Sequence, residues 1–179
     1  MGLADFALRV TVGGLMTGHG LQKLNGSFGG PGLEATEKTM AAIGMHPARH
    51  QARAAALSET VGGALTALGL MSPLGPAMIT GTMAVAIEKV HARNGVWVTK
   101  GGFEYNAVLI AASLAVAAHG PGVLSLDALL GRRRSGARWA LLAGAWGAAA
   151  AVAALRVAER MAPPAEVGAG GGPADAPTA

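Results

Sequence analysis

The sequence predicts an all-α membrane protein, a four-helix transmembrane bundle with an extra fifth C-terminal transmembrane helix. Three observations carry that expectation. Hydrophobic residues make up 51% of the 179-residue chain and charged residues only 13%, a balance too apolar for an ordinary soluble domain of this size. Five runs rich in Ala, Gly, Leu and Val fall near residues 3–24, 54–71, 74–91, 104–119 and 138–157, to be compared with the roughly 20 residues that cross about 30 Å of hydrocarbon. The connections alternate in length: a long loop follows the first run and a shorter one the third, whereas Ser72-Pro73 alone separates the second from the third.

The first run carries Asp5 and Arg9 early and has no small-x-small cleavage site before its polar end, so it reads as a retained helix and not a secretory signal. Asp5 and Arg9 stand at i, i+4 with the acid first, which suits a local ion pair near a helix N-terminus. Gly14 and Gly18 form a GxxxG pattern that admits a second helix. The cluster Gly29-Gly30-Pro31-Gly32 then reads as a turn. Residues 33–46 hold Leu33, Met40, Ile43 and Met45 among charges, the pattern of an interfacial amphipathic helix. His46 and His50 are four apart, but Pro47 breaks the helix that spacing assumes, and solvation in a loop is the better account.

The second and third runs are short and the fifth is mostly alanine, so their insertion leans on packing as well as hydropathy. Between the third and fourth runs, Gly101-Gly102 marks a turn, and Trp97, Phe103 and Tyr105 read as interfacial anchors. His119 is placed to cap the end of the fourth. Arg132, Arg133, Arg134 and Arg138 precede the fifth and suit a solvated loop drawn to anionic lipid. From Pro163 onward the chain is Ala/Gly/Pro-rich without periodicity, the composition of a disordered tail.

Composition also excludes functions. With no cysteine, the chain has no disulfides, thiolate ligands, iron–sulfur clusters or dithiol redox chemistry of its own. The pI near 10.1 does not point to nucleic acid, because the basic residues are scattered over loops without interleaved aromatics. The glycine clusters follow no strand and carry no GK[ST] ending, so they are not phosphate loops. Lys and Arg counted over short loops favour one face of the membrane as cytoplasmic and the Arg132–Arg138 cluster favours the other, so the two signals oppose.

If each run crosses, the ends of the first and third and the starts of the second and fourth lie at one membrane surface. The polar residues gather there. His19, Gln22 and Lys23 share one face at the end of the first helix; Glu59 lies inside the second; Glu88 and His91 share a face at the end of the third; Asn94 follows; and Glu104 and Asn106 open the fourth. Ionisable groups among apolar helices are a functional-site hypothesis by default. One reading is a pocket for a polar head such as a quinone's, with imidazole or ammonium donating to a carbonyl oxygen and a carboxylate relaying protons. The other is a hydrogen-bond and ion-pair network that fastens helices and loops, with Lys23 or His19 the expected partner of Glu59. His19 and His91 sit among charges and not in a porphyrin-sized apolar slot, which argues against haem. A His/Glu metal site suits the donor types but has no signature, so no metal is assigned.

At these residues the chain resembles the DoxX family of small membrane proteins. The likeness rests on Leu8-Arg9 with His19-Gly20-Leu21-Gln22-Lys23-Leu24 and Phe28-Gly29-Gly30-Pro31-Gly32; on Glu59 with Gly62-Gly63; on His91 with Asn94-Gly95; and on Gly101-Gly102-Phe103-Glu104-Tyr105-Asn106 leading to Gly120-Pro121-Gly122, Ser125 and Asp127. The resemblance implies a multi-pass four-helix bundle in the cell (cytoplasmic) membrane, associated with quinone-linked redox systems, some relatives being subunits of thiosulfate:quinone oxidoreductase. Quinone is the cofactor it suggests, with soluble or membrane redox subunits and the lipid bilayer as partners. It supplies no catalytic signature. The expected organisation is a core over 1–130, a basic loop over 131–137, an additional transmembrane helix over 138–158 and a tail over 162–179.

Overall fold

The computed structural model describes residues 2–132 and 134–164. Among them the chain is all-α, without strands: α1 (Leu3–Asn25), α2 (Gly32–Ala42), α3 (Ala48–Leu68), α4 (Leu74–Ala86), α5 (Glu104–His119), α6 (Leu126–Leu129) and α7 (Ala137–Arg160). Most of the expected tail, and Arg133, lie outside the described residues. Of these helices, α7 is the one that passes on length and apolarity alone as a membrane span, and only 17% of its apolar window is buried.

α1, α3, α4 and α5 pack in a ring: α1 on α3, α3 on α4, α4 on α5 and α5 back on α1. On α1 the buried residues are Arg9, Val12, Gly13, Met16 and Gly20, a stripe at helical spacing. Val12 and Met16 meet Ile79 and Met83 of α4 and Leu109 of α5 in the centre. α7 lies outside the ring against α4 and α5, where Ala143 joins Ala77 and Ala117 in a second small core. α2 covers α3 and α1.

Backbone proximity sets this packing. A Cβ on Gly13 would fall within 3.0 Å of Gly63 and Ala67 backbone atoms, and one on Gly63 within 3.0 Å of Gly13 and Thr17. Gly20 is pressed in the same way on Ala56 and Thr60. The expected GxxxG pair is therefore not the contact: Gly14 and Gly18 have nothing within 4 Å of a built Cβ. The stripe that faces α3 is offset by one residue, because Val12 and Met16 fix which side of α1 points inward. Gly81 and Gly147 bring α4 and α7 together likewise.

The end of the ring opposite the polar cluster corrects two expectations. Asp5 and Arg9 do not pair. Arg9, 4% exposed, donates to the carbonyls of Thr66, Ala67 and Leu124, which places a cation on the carbonyl-rich C-terminus of α3. Asp5 instead meets His119, Oδ1 to Nδ1 at 3.0 Å, so His119 ties α5 to α1 and does not cap its own helix through the ring. In the loop before α7 the unexpected α6 aims Asp127 at the α3–α4 turn. The buried Asp127 carboxylate accepts from Met71 N at 3.1 Å and Ser72 N at 2.8 Å.

Candidate functional site at the polar end

Lys23 and Glu59 form the centre of this end. α1 stops at Gly26, whose φ of 77° is the left-handed conformation glycine adopts without penalty, so Lys23 stands in the last turn of α1 with its stem along α3. Glu59 lies midway along α3 with its side chain 3% exposed, and its carboxylate accepts the Lys23 ammonium in an ion pair; the Lys23 side chain is 29% exposed. The geometry is asymmetric. The Glu59 side chain is enclosed, while the Lys23 side chain stays partly exposed and its ammonium has N–H donors beyond the one given to Glu59.

The remaining predicted residues divide between the neighbourhood of this pair and the loops. The His19 ring meets Tyr105 of α5 edge-on, with centroids 6.5 Å apart and planes at 63°. Gln22 is the surface against which the loop closes: a Cβ on Gly30 would collide with Gln22 Cα and Cβ. Thr36 reaches from α2, donating to Gly32 O at 2.7 Å and, weakly, to Lys23 O at 3.4 Å. His91 Nδ1 is 2.8 Å from Gly101 O, and Asn94 donates to the same oxygen at 3.2 Å. Glu104 accepts from Val98 N at 3.0 Å. Asn106 is buried in the ring, with its amide 3.4 Å from Met83 Sδ.

Glu88 departs from expectation. The end of α4 widens into a π turn over Ile87–His91, and with i→i+5 bonding a three-residue spacing no longer returns to the same face. Glu88 is exposed, His91 turns to the 92–103 loop, and the two do not share the face that α-helical spacing assigned them. Among the described residues Glu88 makes no ion pair, and no group of three His, Cys, Asp or Glu is arranged to hold a metal ion.

Sequence reasoning found Lys23 and Glu59 as partners and missed Tyr105 as the neighbour of His19. The signal for Tyr105 was there: it follows Glu104 at the start of the fourth helix, at the same surface as the end of the first. Chemically, the end offers one ammonium with free donor capacity over a buried counter-charge, beside an imidazole packed on a phenol ring.

The DoxX family model matches residues 4–92 of the chain, from the start of α1 to just past the π turn. Comparison with curated proteins and with solved structures finds no match.

Proposed function

From the premise that the chain belongs to the DoxX family, we propose that it is a multi-pass protein of the cell membrane and a small, non-catalytic membrane subunit of a quinone-linked oxidoreductase system. In this reading α1, α3, α4 and α5 cross the bilayer as a core over residues 1–130, and α7 crosses beside them. At 1.5 Å per residue α1 and α3 reach about 34 and 31 Å, enough for about 30 Å of hydrocarbon. The outer faces carry Leu15, Leu57, Val61, Val108 and Leu141, all exposed, as a lipid solvent requires. α1 and α3 fall short on hydropathy because they carry charges, and pairing Lys23 with Glu59 offsets that cost.

The observation that carries the reading is the asymmetry of that pair. A buried carboxylate holds an ammonium whose remaining N–H groups are free to donate to the carbonyl oxygen of a head group, with His19 and Tyr105 as flanking aromatic surface. Titrating a short-chain quinone into the protein in nanodiscs tests it. Binding should quench tryptophan fluorescence, Lys23→Met should weaken it at least tenfold, and gentle purification should bring down a redox-active subunit.

A second reading is favoured by how His91, Asn94 and Glu104 are used. Each is bonded to backbone of the 92–103 loop, the work of a fastening network. The protein is then a binding or transport module for a small amphiphile, with the polar cluster as structural glue. Quinone binding indifferent to Lys23→Met, in a protein that purifies alone, selects this second reading.

A further inference from the structure

About a quarter turn around α3 from Glu59 lies a half-open cavity of about 440 Å³, bordered by α2, α3, α4 and α7 and the loop after α2. Met40 and Met45 close one side, Met78 and Val85 of α4 another, and Trp146 of α7 a third. No lining residue is charged. The volume lies within the range of about 300 to 1,000 Å³ typical of small-molecule sites, and a mostly apolar wall with a few placed polar groups is their usual make-up.

The placed groups are the hydroxyls of Ser58 and Thr82. Thr82 Oγ is 3.1 Å from Ser58 Oγ and 3.0 Å from Met78 O, while Ser58 Oγ reaches Met78 O only at 3.4 Å. The Ser58 proton is thus held by a long bond, and each hydroxyl keeps acceptor capacity. Gln51, 8% exposed, is committed elsewhere: its amide donates to Ala154 O at 3.2 Å, tying α3 to α7 across the cavity floor. The wall contributed by α7 lies outside residues 4–92. Trp146 at the rim is about half exposed on the one described helix that is both long and apolar enough to cross a membrane, so the cavity mouth opens toward whatever apolar medium surrounds α7.

We propose that this cavity binds a neutral single-chain amphiphile, its hydrocarbon chain against the methionines and Trp146 and its uncharged hydroxyl head on Ser58 and Thr82. The site goes beyond the polar-end reading and does not depend on it. An anionic or zwitterionic head is disfavoured because no charge lines the walls to receive it, and methionine side chains adapt to a flexible chain.

The test uses the full chain in phosphatidylcholine nanodiscs with a photoreactive hexadecanol carrying its diazirine on the chain. Crosslinks should concentrate on peptides containing Met78 and Trp146, compete with unlabelled hexadecanol, and not compete with palmitate. Ala150→Phe fills the cavity from the partly open face of α7 and should cut labelling at least tenfold. Ser58→Ala should weaken the alcohol about five- to tenfold, as for one lost hydrogen bond, while leaving labelling by a photoreactive hexadecane unchanged. Short-chain quinone should leave both labellings unchanged, which separates this site from the polar end. Crosslinks spread evenly over the outer faces of α1 and α5 would overturn the proposal. So would unaltered labelling in Ala150→Phe or Ala54→Phe that elutes and melts like wild type.

Discussion

Lys23→Met removes the cation from a pair whose carboxylate is 3% exposed and leaves that carboxylate enclosed among helices. Breaking a buried pair from one side costs about 3 to 5 kcal/mol, and Glu59 sits at the buried extreme, so about 3 to 4 kcal/mol is expected. Glu59→Gln leaves the other partner, whose side chain is 29% exposed on a flexible stem. That ammonium can swing toward water, so its loss is about 1 to 2 kcal/mol, on the scale of a charged hydrogen bond. The double variant puts a thioether beside an amide and should lie close to the milder single. The coupling is then about 3 to 4 kcal/mol, the whole of the Lys23→Met loss. Unfolding in mild detergent, followed by circular dichroism with heat or added dodecyl sulfate, reads all four proteins. With about 2 to 4 °C per kcal/mol for a chain of this length, Lys23→Met should melt about 6 to 16 °C early. Additive losses, or a Glu59→Gln variant less stable than Lys23→Met, would refute the reasoning that buried charge on α3 is what the pair satisfies.

Gly63→Leu should prevent α1 from docking on α3 and abolish the monodisperse folded species on size exclusion, whereas Gly14→Ala and Gly18→Ala, inside α1 and facing open space, should each leave the fold intact and stabilise it by about 0.5 to 1 kcal/mol. Asp127→Asn keeps shape but loses one of the carboxylate's two acceptor oxygens for Met71 N and Ser72 N, so it should cost about 1 to 3 kcal/mol and speed proteolysis at the 69–73 turn. A chain ending at residue 131 should still insert and fold as the α1, α3, α4, α5 ring, read by protease protection of its loops, but should lose hexadecanol labelling. Failure to insert would place the core boundary beyond α7.

The polar end was legible where chemistry leaves few choices. A carboxylate inside an apolar helix needs a cation, and of the groups the loop pattern gathers at that surface Lys23, at the end of the first helix, is the nearest cation by topology, with His19 the other expected partner. Glu88 was misplaced because the argument assumed a turn of constant width, and nothing in Ile87–His91 announces a π turn to a periodicity count. Asp5 and Arg9 were paired as close neighbours in sequence, yet tertiary partners outcompete local ones. A helix C-terminus and a loop carbonyl hold the guanidinium, while the half-buried Asp5 carboxylate four residues away is taken by His119. Gly14 and Gly18 show the limit of motif reading: GxxxG says two glycines share a face, and the adjacent core residues decide whether that face looks inward.

The Lys23–Glu59 pair also bears on how the chain enters a membrane. The two charges are made in succession, Lys23 on α1 and Glu59 on α3, with α2 between them. Until α3 emerges, the end of α1 must hold its ammonium at the headgroups. Once it does, Lys23 and Glu59 can move inward as a neutral pair. On the proposed multi-pass topology, crossing is a property of the pair, and a window slid along the sequence one helix at a time does not register it. The same accounting predicts when in synthesis the bundle commits: not at α7, which passes as a span by itself and comes last, but at the arrival of the residue that neutralises Lys23.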